Sequence, residues 1–448
     1  MLLSCSSALA EKHLVKTHIS RPNWPFDIRR IPFFYGWVIW LFSTLGFLFS
    51  IPGQTMGMAV FTDQLIDVLG LSRTQLSMAY LFGTVGSALF LTRAGRWYDR
   101  LGGRRMIALA SLALALMLVF ISATDVLAGV FGGGVLVNFV FIMLGYFGVR
   151  FFGQGVLTSA SRNVLLLWFE KRRGLVSSIR GVFVSFGFSL APLGLAWLIS
   201  LSGWRIALWQ LALGCAVYAL LAYIFLRDSP QSCGVHVDGY SDQNKPASDT
   251  EIVSYTLEQA RKSPVFWVLS LSLSSHALFS TAVTFHIVSV FAEAGRSATE
   301  AFAYFLPSAI ASTSVNLLAG WLADTRPLKS FLLAMLVAFI VGAWGLLHLD
   351  TQWGYWLLIA GFGTGGGLWS VISNLAFIRN FGPLHLGEIS GLCSATMVFS
   401  SAIGPALFSV GLDLSGTYAA PEWLCLGGLV ALLLVATVIP HKHEQFVR

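Results

Sequence analysis

The chain has 448 residues, of which 56% are hydrophobic and only 11% charged, well below the roughly 25% charged residues of soluble domains. This composition excludes a chain built only from soluble domains and predicts long segments inside a membrane. The net charge of +7 does not indicate nucleic-acid binding, because the basic residues lie in connections between apolar segments and not in one patch. The five cysteines lack metal-site spacing, so we interpret them as packing residues.

Residues 1–33 are basic, contain three prolines and lack an apolar stretch that ends in a cleavage site, which predicts a tail and no cleaved signal peptide. Two groups of six apolar segments follow, within 34–226 and 264–440, separated by a polar linker at 227–263 and followed by a second tail at 441–448. Each segment can cross ~30 Å of hydrocarbon as a helix. The predicted spans 1 to 12 are 34–59, 75–92, 106–123, 134–159, 181–200, 206–226, 264–291, 300–323, 328–349, 353–377, 388–411 and 422–440.

The distribution of Lys and Arg predicts the orientation of these spans. Of 28 such residues, 24 lie in the tails and even-numbered connections or at their edges, and three lie in odd-numbered connections. Cytoplasmic connections carry the excess of basic residues in membrane proteins. We therefore expect both tails and the linker in the cytoplasm, and the bilayer as a partner, as in a multi-pass protein of a bacterial inner membrane.

A charged connection separates spans 2 and 3. Residues 91–105 contain five arginines, one aspartate and three glycines, a composition that predicts a tight turn outside the hydrocarbon. A shorter copy follows span 8, where Gly320 and Asp324 repeat the spacing of Gly95 and Asp99 at an offset of 225 positions. The sequence therefore predicts an all-α membrane protein of twelve transmembrane helices in two pseudo-symmetric halves of six.

The first of these connections resembles the loop signature of the major facilitator superfamily: glycine, three residues, aspartate, arginine, any residue, glycine and basic residues. Gly103 stands where the first basic residue of the signature usually follows, which is one departure from it. The resemblance extends from Tyr35 onward and implies the major facilitator fold. It also implies a conformational gate, with Asp99 facing the start of span 11. The gate residues expected on this basis are Gly95, Asp99, Arg100, Arg104, Asp324 and Glu388.

The second half resembles the bacterial branch of monocarboxylate transporters and oxalate/formate antiporters. The segments that carry this resemblance are 256–267, 281–287 and 379–387. Members of the oxalate/formate group are expected to hold a carboxylate with basic residues in spans 8 and 11. Residues 301–323 and 389–411 contain no Lys or Arg, so dicarboxylate exchange is not predicted.

Several spans contain helix-weakening residues. These are Pro52-Gly53 in span 1, Pro192 in span 5, the glycine-rich stretch 361–367 in span 10 and Pro405 in span 11. They are either sites of close helix packing or bending points for a protein that rocks between two shapes.

Arg150 is the main candidate for binding a substrate, because an ionisable residue inside a span is costly and therefore a candidate functional residue. It precedes Arg162 by twelve residues, which corresponds to roughly 18 Å of helix. Tyr146 and Gln154 share its helix face at four-residue steps. The alternative is that Arg150 ties span 4 to backbone carbonyls or to a neighbouring helix.

Other polar or aromatic residues within the spans are weaker candidates for the substrate site. Histidines in spans are more often hydrogen-bonded structural residues than proton carriers, and interhelical polar contacts are common. These candidates are Gln54, His276, His286, Asn316, Trp369 and Asn374.

No Asp or Glu lies near the middle of a predicted span, so proton coupling through a carboxylate is not predicted; a coupling ion is left open. The chain has neither a phosphate-binding loop with its lysine nor a metal-like cluster, and we predict no cofactor and no enzyme activity. We predict a secondary or facilitative transporter that moves a small organic anion, in first place a monocarboxylate, by alternating access. The alternative is an exporter of amphipathic compounds. An intramembrane enzyme or a sensor would need a catalytic constellation or an output domain that the sequence lacks.

Overall fold

The structure, a computed structural model, describes residues 24–239 and 254–439. Its regular elements within these ranges are all helical, and twelve helices are long and apolar enough to cross a membrane. The predicted all-α fold of twelve spans is therefore confirmed. The N-terminal spans are Gly36–Phe49 (span 1), Arg73–Leu101 (2), Gly103–Ser122 (3), Val135–Val149 continuing to Trp168 (4), Arg173–Ser202 (5) and Trp204–Phe225 (6). The C-terminal spans are Pro264–Glu293 (7), Phe305–Ala323 (8), Leu328–Leu347 (9), Gln352–Phe381 (10), Leu386–Ser415 (11) and Ala419–Val438 (12).

Short helices flank these spans. They are Ile28–Arg30, Ile51–Gly53, Thr55–Ala59, Thr62–Leu69, Thr124–Val130, Gln231–Cys233, Val237–Gly239, Leu257–Lys262 and Ala298–Ala303. Leu257–Lys262 begins with a capping box, in which the Thr256 hydroxyl accepts from Gln259 N and the Gln259 side chain accepts from Thr256 N. It lies directly before span 7 and ends the segment that we predicted as a linker.

The buried apolar side chains form two cores. One draws mainly on spans 1 to 6 and the other mainly on spans 7 to 12. Contacts between the halves run through spans 2 and 11, and through spans 5, 8 and 10. Each half therefore buries its own apolar faces, and only a few helices join the two. The predicted domain boundaries remain a prediction.

The charged connection at 91–105, which was predicted as a tight turn outside the hydrocarbon, is almost entirely helical. Span 2 runs on to Leu101, span 3 begins at Gly103, and only Gly102 leaves the helical conformation, with φ of +82°. A Cβ on Gly102 would also contact the Asp228 carboxylate. The helix hydrogen bonds continue after the apolar run stops, because a helix end can stand in the polar interface. We call the face of the bundle at this turn the basic face.

One of the predicted helix-weakening sites interrupts its span, and a further backbone irregularity lies in span 4. Pro52-Gly53 ends span 1 in a short 3₁₀ turn, and span 4 contains a π-helical segment, Arg150–Leu157, that the sequence analysis does not anticipate. Pro192 and Pro405 lie inside continuous helices. The glycines of span 10 are also helical, and several approach spans 8 and 9 so closely that a Cβ would collide with them. That stretch is therefore a packing surface.

Candidate functional site

A cavity of about 520 Å³ lies between the two halves. Both halves contribute to it: spans 1, 2, 4 and 5 form one wall, and spans 7, 8, 10 and 11 form the other. The volume falls within the roughly 300–1,000 Å³ that is usual for small-molecule sites. We take this cavity as the candidate substrate site.

Two arginines, Arg162 and Arg180, line the N-terminal wall. Arg180 is only 3% exposed; its guanidinium donates to Asn374 Oδ1 across the halves at 2.7 Å and to Ser43 Oγ at 3.4 Å. It also lies over the Phe47 ring, 4.6 Å from the centroid. Arg162 makes no hydrogen bond or ion pair with any residue that the structure describes.

The cavity lining carries no negative charge to balance these arginines. None of the described residues that line it is Asp or Glu, and His276 is its other basic side chain. Two guanidiniums that share a cavity without a carboxylate attract an anion, and a guanidinium can hold a carboxylate or a phosphate through two parallel hydrogen bonds.

The C-terminal wall is polar, and its described residues include no Lys, Arg, Asp or Glu. Many of its side chains carry a hydroxyl, and Asn316, Asn374 and Trp369 stand among them. The Trp369 indole is fixed by a 3.1 Å hydrogen bond to Leu273 O and lies against His276, with 5.2 Å between the ring centroids. His276 also stacks on Phe339 at 4.5 Å, and its Nδ1 is buried without a hydrogen-bond partner in the described part of the chain.

Six of the predicted substrate-site residues line this cavity, and three do not. The six are Gln54, Gln154, His276, Asn316, Trp369 and Asn374. The three that lie outside its lining are Tyr146, Arg150 and His286.

Arg150 is 4% exposed and lies against the break in span 1. Its Nη1 donates to Gly53 O at 3.2 Å and to Thr55 Oγ1 at 3.3 Å, and the guanidinium stands over Tyr80 at 5.2 Å. The backbones of spans 1 and 4 almost touch here, since a Cβ on Gly53 would lie 2.7 Å from Gly153 Cα. Arg150 thus contacts a backbone carbonyl, as expected from the alternative interpretation that it ties span 4 to backbone carbonyls or to a neighbouring helix.

Tyr146 and His286 are held by other groups. Tyr146 is buried with its ring edge-on to Tyr80, 5.2 Å between centroids. His286 lies 10 residues after His276 in the same helix, with Nε2 3.0 Å from Pro405 O and Nδ1 3.3 Å from the Tyr418 hydroxyl. Spans 7 and 11 and the start of span 12 therefore surround His286 away from the cavity.

Arg162 and Arg180 were not among the predicted site residues, because both lie just outside the predicted bounds of spans 4 and 5. Span 5 was expected to begin at residue 181, whereas its helix begins at Arg173 and carries Arg180 two turns inside. The available signal was the absence of proline or of any turn-forming cluster between Gly174 and Arg180.

The basic face is closed by two related contacts between the halves. In the first latch, Asp99 Oδ1 accepts from Gly387 N at 2.8 Å and Asp99 Oδ2 from Glu388 N at 2.9 Å. Gly387 and Glu388 belong to the first turn of span 11, where free amide groups favour a carboxylate. A Cβ on Gly95 would collide with the Gly387 carbonyl, so this approach requires glycine. Arg96 adds a 3.2 Å ion pair to Glu388.

The second latch repeats this arrangement with the halves exchanged. Asp324 Oδ1 accepts from Gly174 N at 2.7 Å, and Oδ2 accepts from Leu175 N at 3.1 Å, at the start of span 5. A Cβ on Gly174 would collide with Gly320 O. Burial raises the pKa of Asp324 above its usual range, while the two amide donors and Arg379, at 3.6 Å, oppose that shift. The repeat at 95–99 and 320–324 thus corresponds to a pair of like contacts.

Two other predicted gate residues do not reach the opposite half in this structure. Arg100 is exposed. Arg104 is buried within the N-terminal half, where its amide donates to Asp228 Oδ1 and its guanidinium to the Tyr223 and Trp24 carbonyls. Arg104 therefore fixes the end of span 6 to the start of span 3. The Glu388 carboxylate does join the halves, and it also accepts from Leu257 N at 3.3 Å, which ties Leu257–Lys262 to the first latch.

Comparison with known proteins agrees with this architecture. The sequence model of the Major Facilitator Superfamily matches residues 42–405. A protein of Chlamydia muridarum, named "Probable hexose phosphate transport protein", is 23% identical over 361 residues, which cover 73% of each chain.

Solved structures of similar fold transport different compounds. The proton:xylose symporter XylE has a TM-score of 0.68 at 16% identity, covering 92% of this chain and 98% of its own. The human organic anion transporter MFSD10 has a TM-score of 0.60 at 14% identity, covering 90% and 99%. At such low identity, these likenesses show the fold alone.

Proposed function

Because the chain belongs to the Major Facilitator Superfamily, whose members are transporters and not enzymes, we propose that it moves a small organic anion across the membrane by alternating access. The observation that carries this proposal is the presence of Arg162 and Arg180 in a cavity whose described lining has no carboxylate. A neutral cargo would leave both charges uncompensated during transport, and a cation would be repelled.

The anion need not be a monocarboxylate, which is the first expectation from the sequence. A carboxylate can bridge the two guanidiniums, but a phosphate monoester offers more acceptor oxygens to the same pair. The relative named for hexose phosphate transport gives this second form independent support. Export of amphipathic compounds would use the aromatic part of the lining, Phe47, Phe188 and Trp369, and leave the arginines without a role.

The proposed cycle follows from the two latches. Both are closed in this structure, and two further hydrogen bonds join the halves, from Asn163 to Ser390 and from Arg180 to Asn374. We infer a conformation that is sealed at the basic face. Opening there requires release of Asp99 and Asp324 from the helix starts that they cap. The distribution of basic residues supports a cytoplasmic position for this face and a bacterial inner membrane as the location.

Transport of anions by purified protein in liposomes tests the proposal. Arg162→Gln and Arg180→Gln should each lower anion uptake about 10- to 100-fold, as expected for the loss of a hydrogen bond to a charged group. The matched control is Arg172→Gln, which removes an exposed arginine at the start of span 5, the helix that carries Arg180. This variant should transport normally. If the glutamine variants fail to fold, anion uptake is measured instead with Arg162→Lys and Arg180→Lys, which keep the charge.

Labelling of intact cells and of inverted membrane vesicles tests the orientation. A cysteine at the exposed Ser232 in a cysteine-free background should react with an impermeant maleimide only from the cytoplasmic side, and one at Val130 only from outside. Normal anion uptake by all four arginine variants, or transport of neutral solutes in place of anions, would refute the proposed function. Labelling of both cysteines from one side would refute the orientation.

A further inference from the structure

We propose that the substrate is a polyhydroxylated anion, a sugar acid or a sugar phosphate, whose charged group binds Arg162 and Arg180 while its hydroxyl groups bind the opposite wall. This inference rests on the proposed function and narrows it. It assigns the C-terminal half a role in recognising hydroxyl groups.

The C-terminal wall presents hydroxyl groups that have no hydrogen-bond partner among the residues that the structure describes. Some cavity hydroxyls already have partners: Thr158 of the N-terminal wall donates to Gln154 O, and Thr281 of the C-terminal wall donates to Ala277 O. In contrast, five hydroxyl side chains of the C-terminal wall make no hydrogen bond within the part of the chain that the structure describes. We call these five the polar wall: Ser280, Ser312, Thr313, Ser370 and Ser394.

The polar wall draws on four helices. Ser280 belongs to span 7, Ser312 and Thr313 to span 8, Ser370 to span 10 and Ser394 to span 11. A hydroxyl is both a donor and an acceptor, so such a surface matches the hydroxyl groups of a sugar chain or ring, each of which also donates and accepts. The unpartnered Nδ1 of His276 lies in a side chain that lines the same cavity.

An aromatic ring adds a surface for the carbon skeleton. Trp369 is fixed by its bond to Leu273 O and contributes to the same wall. The C–H faces of a sugar are apolar, and a fixed indole can cover one of them while the hydroxyls at the edge reach polar groups. The two walls together therefore match a molecule with one anionic end and a hydroxylated body.

An alkyl monocarboxylate fits this arrangement poorly. It can bind the arginines, but its chain would displace water from the polar wall without replacing any hydrogen bond. A site built to bond a substrate hydroxyl rejects the analogue that lacks it by roughly 10⁴-fold or more where the groups are fully buried. In a cavity of this size, which retains water, a smaller ratio of about 100-fold is expected.

Four compounds with the same number of carbon atoms separate the contributions of charge and hydroxyl groups: gluconate, hexanoate, glucose and glucose 6-phosphate. Binding to purified protein is measured by calorimetry and by the shift in melting temperature. Gluconate or glucose 6-phosphate should bind at least about 100-fold more tightly than hexanoate and than glucose, and the stronger of the two identifies a carboxylate or a phosphate as the charged group.

Variants of the polar wall supply the matched test. Ser312→Ala, Thr313→Val and Ser370→Ala should weaken gluconate or glucose 6-phosphate about 5- to 10-fold each and leave hexanoate unchanged, whereas Arg162→Gln should weaken all anions. Ser415→Ala, at the exposed end of span 11, is the control. Equal affinity for gluconate, glucose 6-phosphate and hexanoate would overturn this inference and leave anion transport standing. Binding of glucose alone would overturn the proposed function itself.

Discussion

At the scale of single residues, the chain separates two uses of buried arginine. Arg150 is hydrogen-bonded to Gly53 O and Thr55 Oγ1, beside the point where spans 1 and 4 approach most closely. Arg162 and Arg180 instead line the cavity between the two halves. All three are cations within helices, and the sequence alone does not separate them, because the direction of a side chain depends on how the helices pack.

Replacement of Arg150 should therefore affect stability before it affects binding. Arg150→Lys and Arg150→Gln leave Gly53 O poorly satisfied, so we expect a loss of about 1–3 kcal/mol of stability and lower yield. Affinity for gluconate or glucose 6-phosphate should change less than about 2-fold in the protein that folds, since a stability defect alone leaves the folded site intact. The measurements are melting temperature and calorimetric binding on the same samples.

Arg93→Lys, which alters an exposed arginine of span 2, is the control for this comparison and should leave both quantities unchanged. An Arg150→Lys protein with a normal melting temperature and an affinity at least 10-fold weaker would return Arg150 to the substrate site.

At the scale of elements, hydropathy predicted the existence and order of all twelve helices but not their ends. Span 2 was expected to stop at residue 92 and continues to Leu101, and span 5 was expected to start eight residues later than Arg173. Hydropathy registers the apolar core of the bilayer, whereas helix hydrogen bonds persist through the interface. This difference explains why Arg180 appeared to be an edge residue. The π-helical segment of span 4 left no comparable signal in hydropathy; within it, Gly153 lies against Gly53 at the break in span 1.

The two latches should act together on the same equilibrium. Asp99→Asn and Asp324→Asn each weaken two charge-assisted hydrogen bonds, at a cost of about 1–3 kcal/mol per latch, so each should shift the population toward a form open at the basic face. The double variant should shift it further than either single one. Spin labels on cysteines at the exposed Arg100 and Arg326, one in each half, report the opening as an increased distance.

Turnover should fall in these variants while binding of the anion by the outward-open form persists. Asp413→Asn, at an exposed site in span 11, is the matched control. Unchanged distances in the double variant would show that the latches do not hold the basic face closed.

At the scale of the whole molecule, the offset of 225 positions between the two short motifs corresponds to a physical symmetry. Asp99 of the N-terminal half caps span 11, and Asp324 of the C-terminal half caps span 5. This relation could be anticipated from the spacing and the family resemblance. The separation of the arginines from the polar wall could not be anticipated, because the charged and hydroxylated residues of the lining come from six helices, which meet only after the halves are assembled.

The described lining of the cavity contains no carboxylate, and this has a kinetic consequence. To return across the membrane without cargo, the protein would have to close around Arg162 and Arg180 with neither charge compensated, which is costly when water is excluded. A bound anion removes that cost, so one-for-one exchange should outpace net movement. Efflux of gluconate or glucose 6-phosphate from loaded liposomes should accelerate at least about 10-fold when the same anion is supplied outside, which requires a barrier lower by about 1.4 kcal/mol. Equal efflux into anion-free buffer would show that the empty carrier reorients freely. If exchange is the faster process, the gradient of one anion can drive the uptake of another.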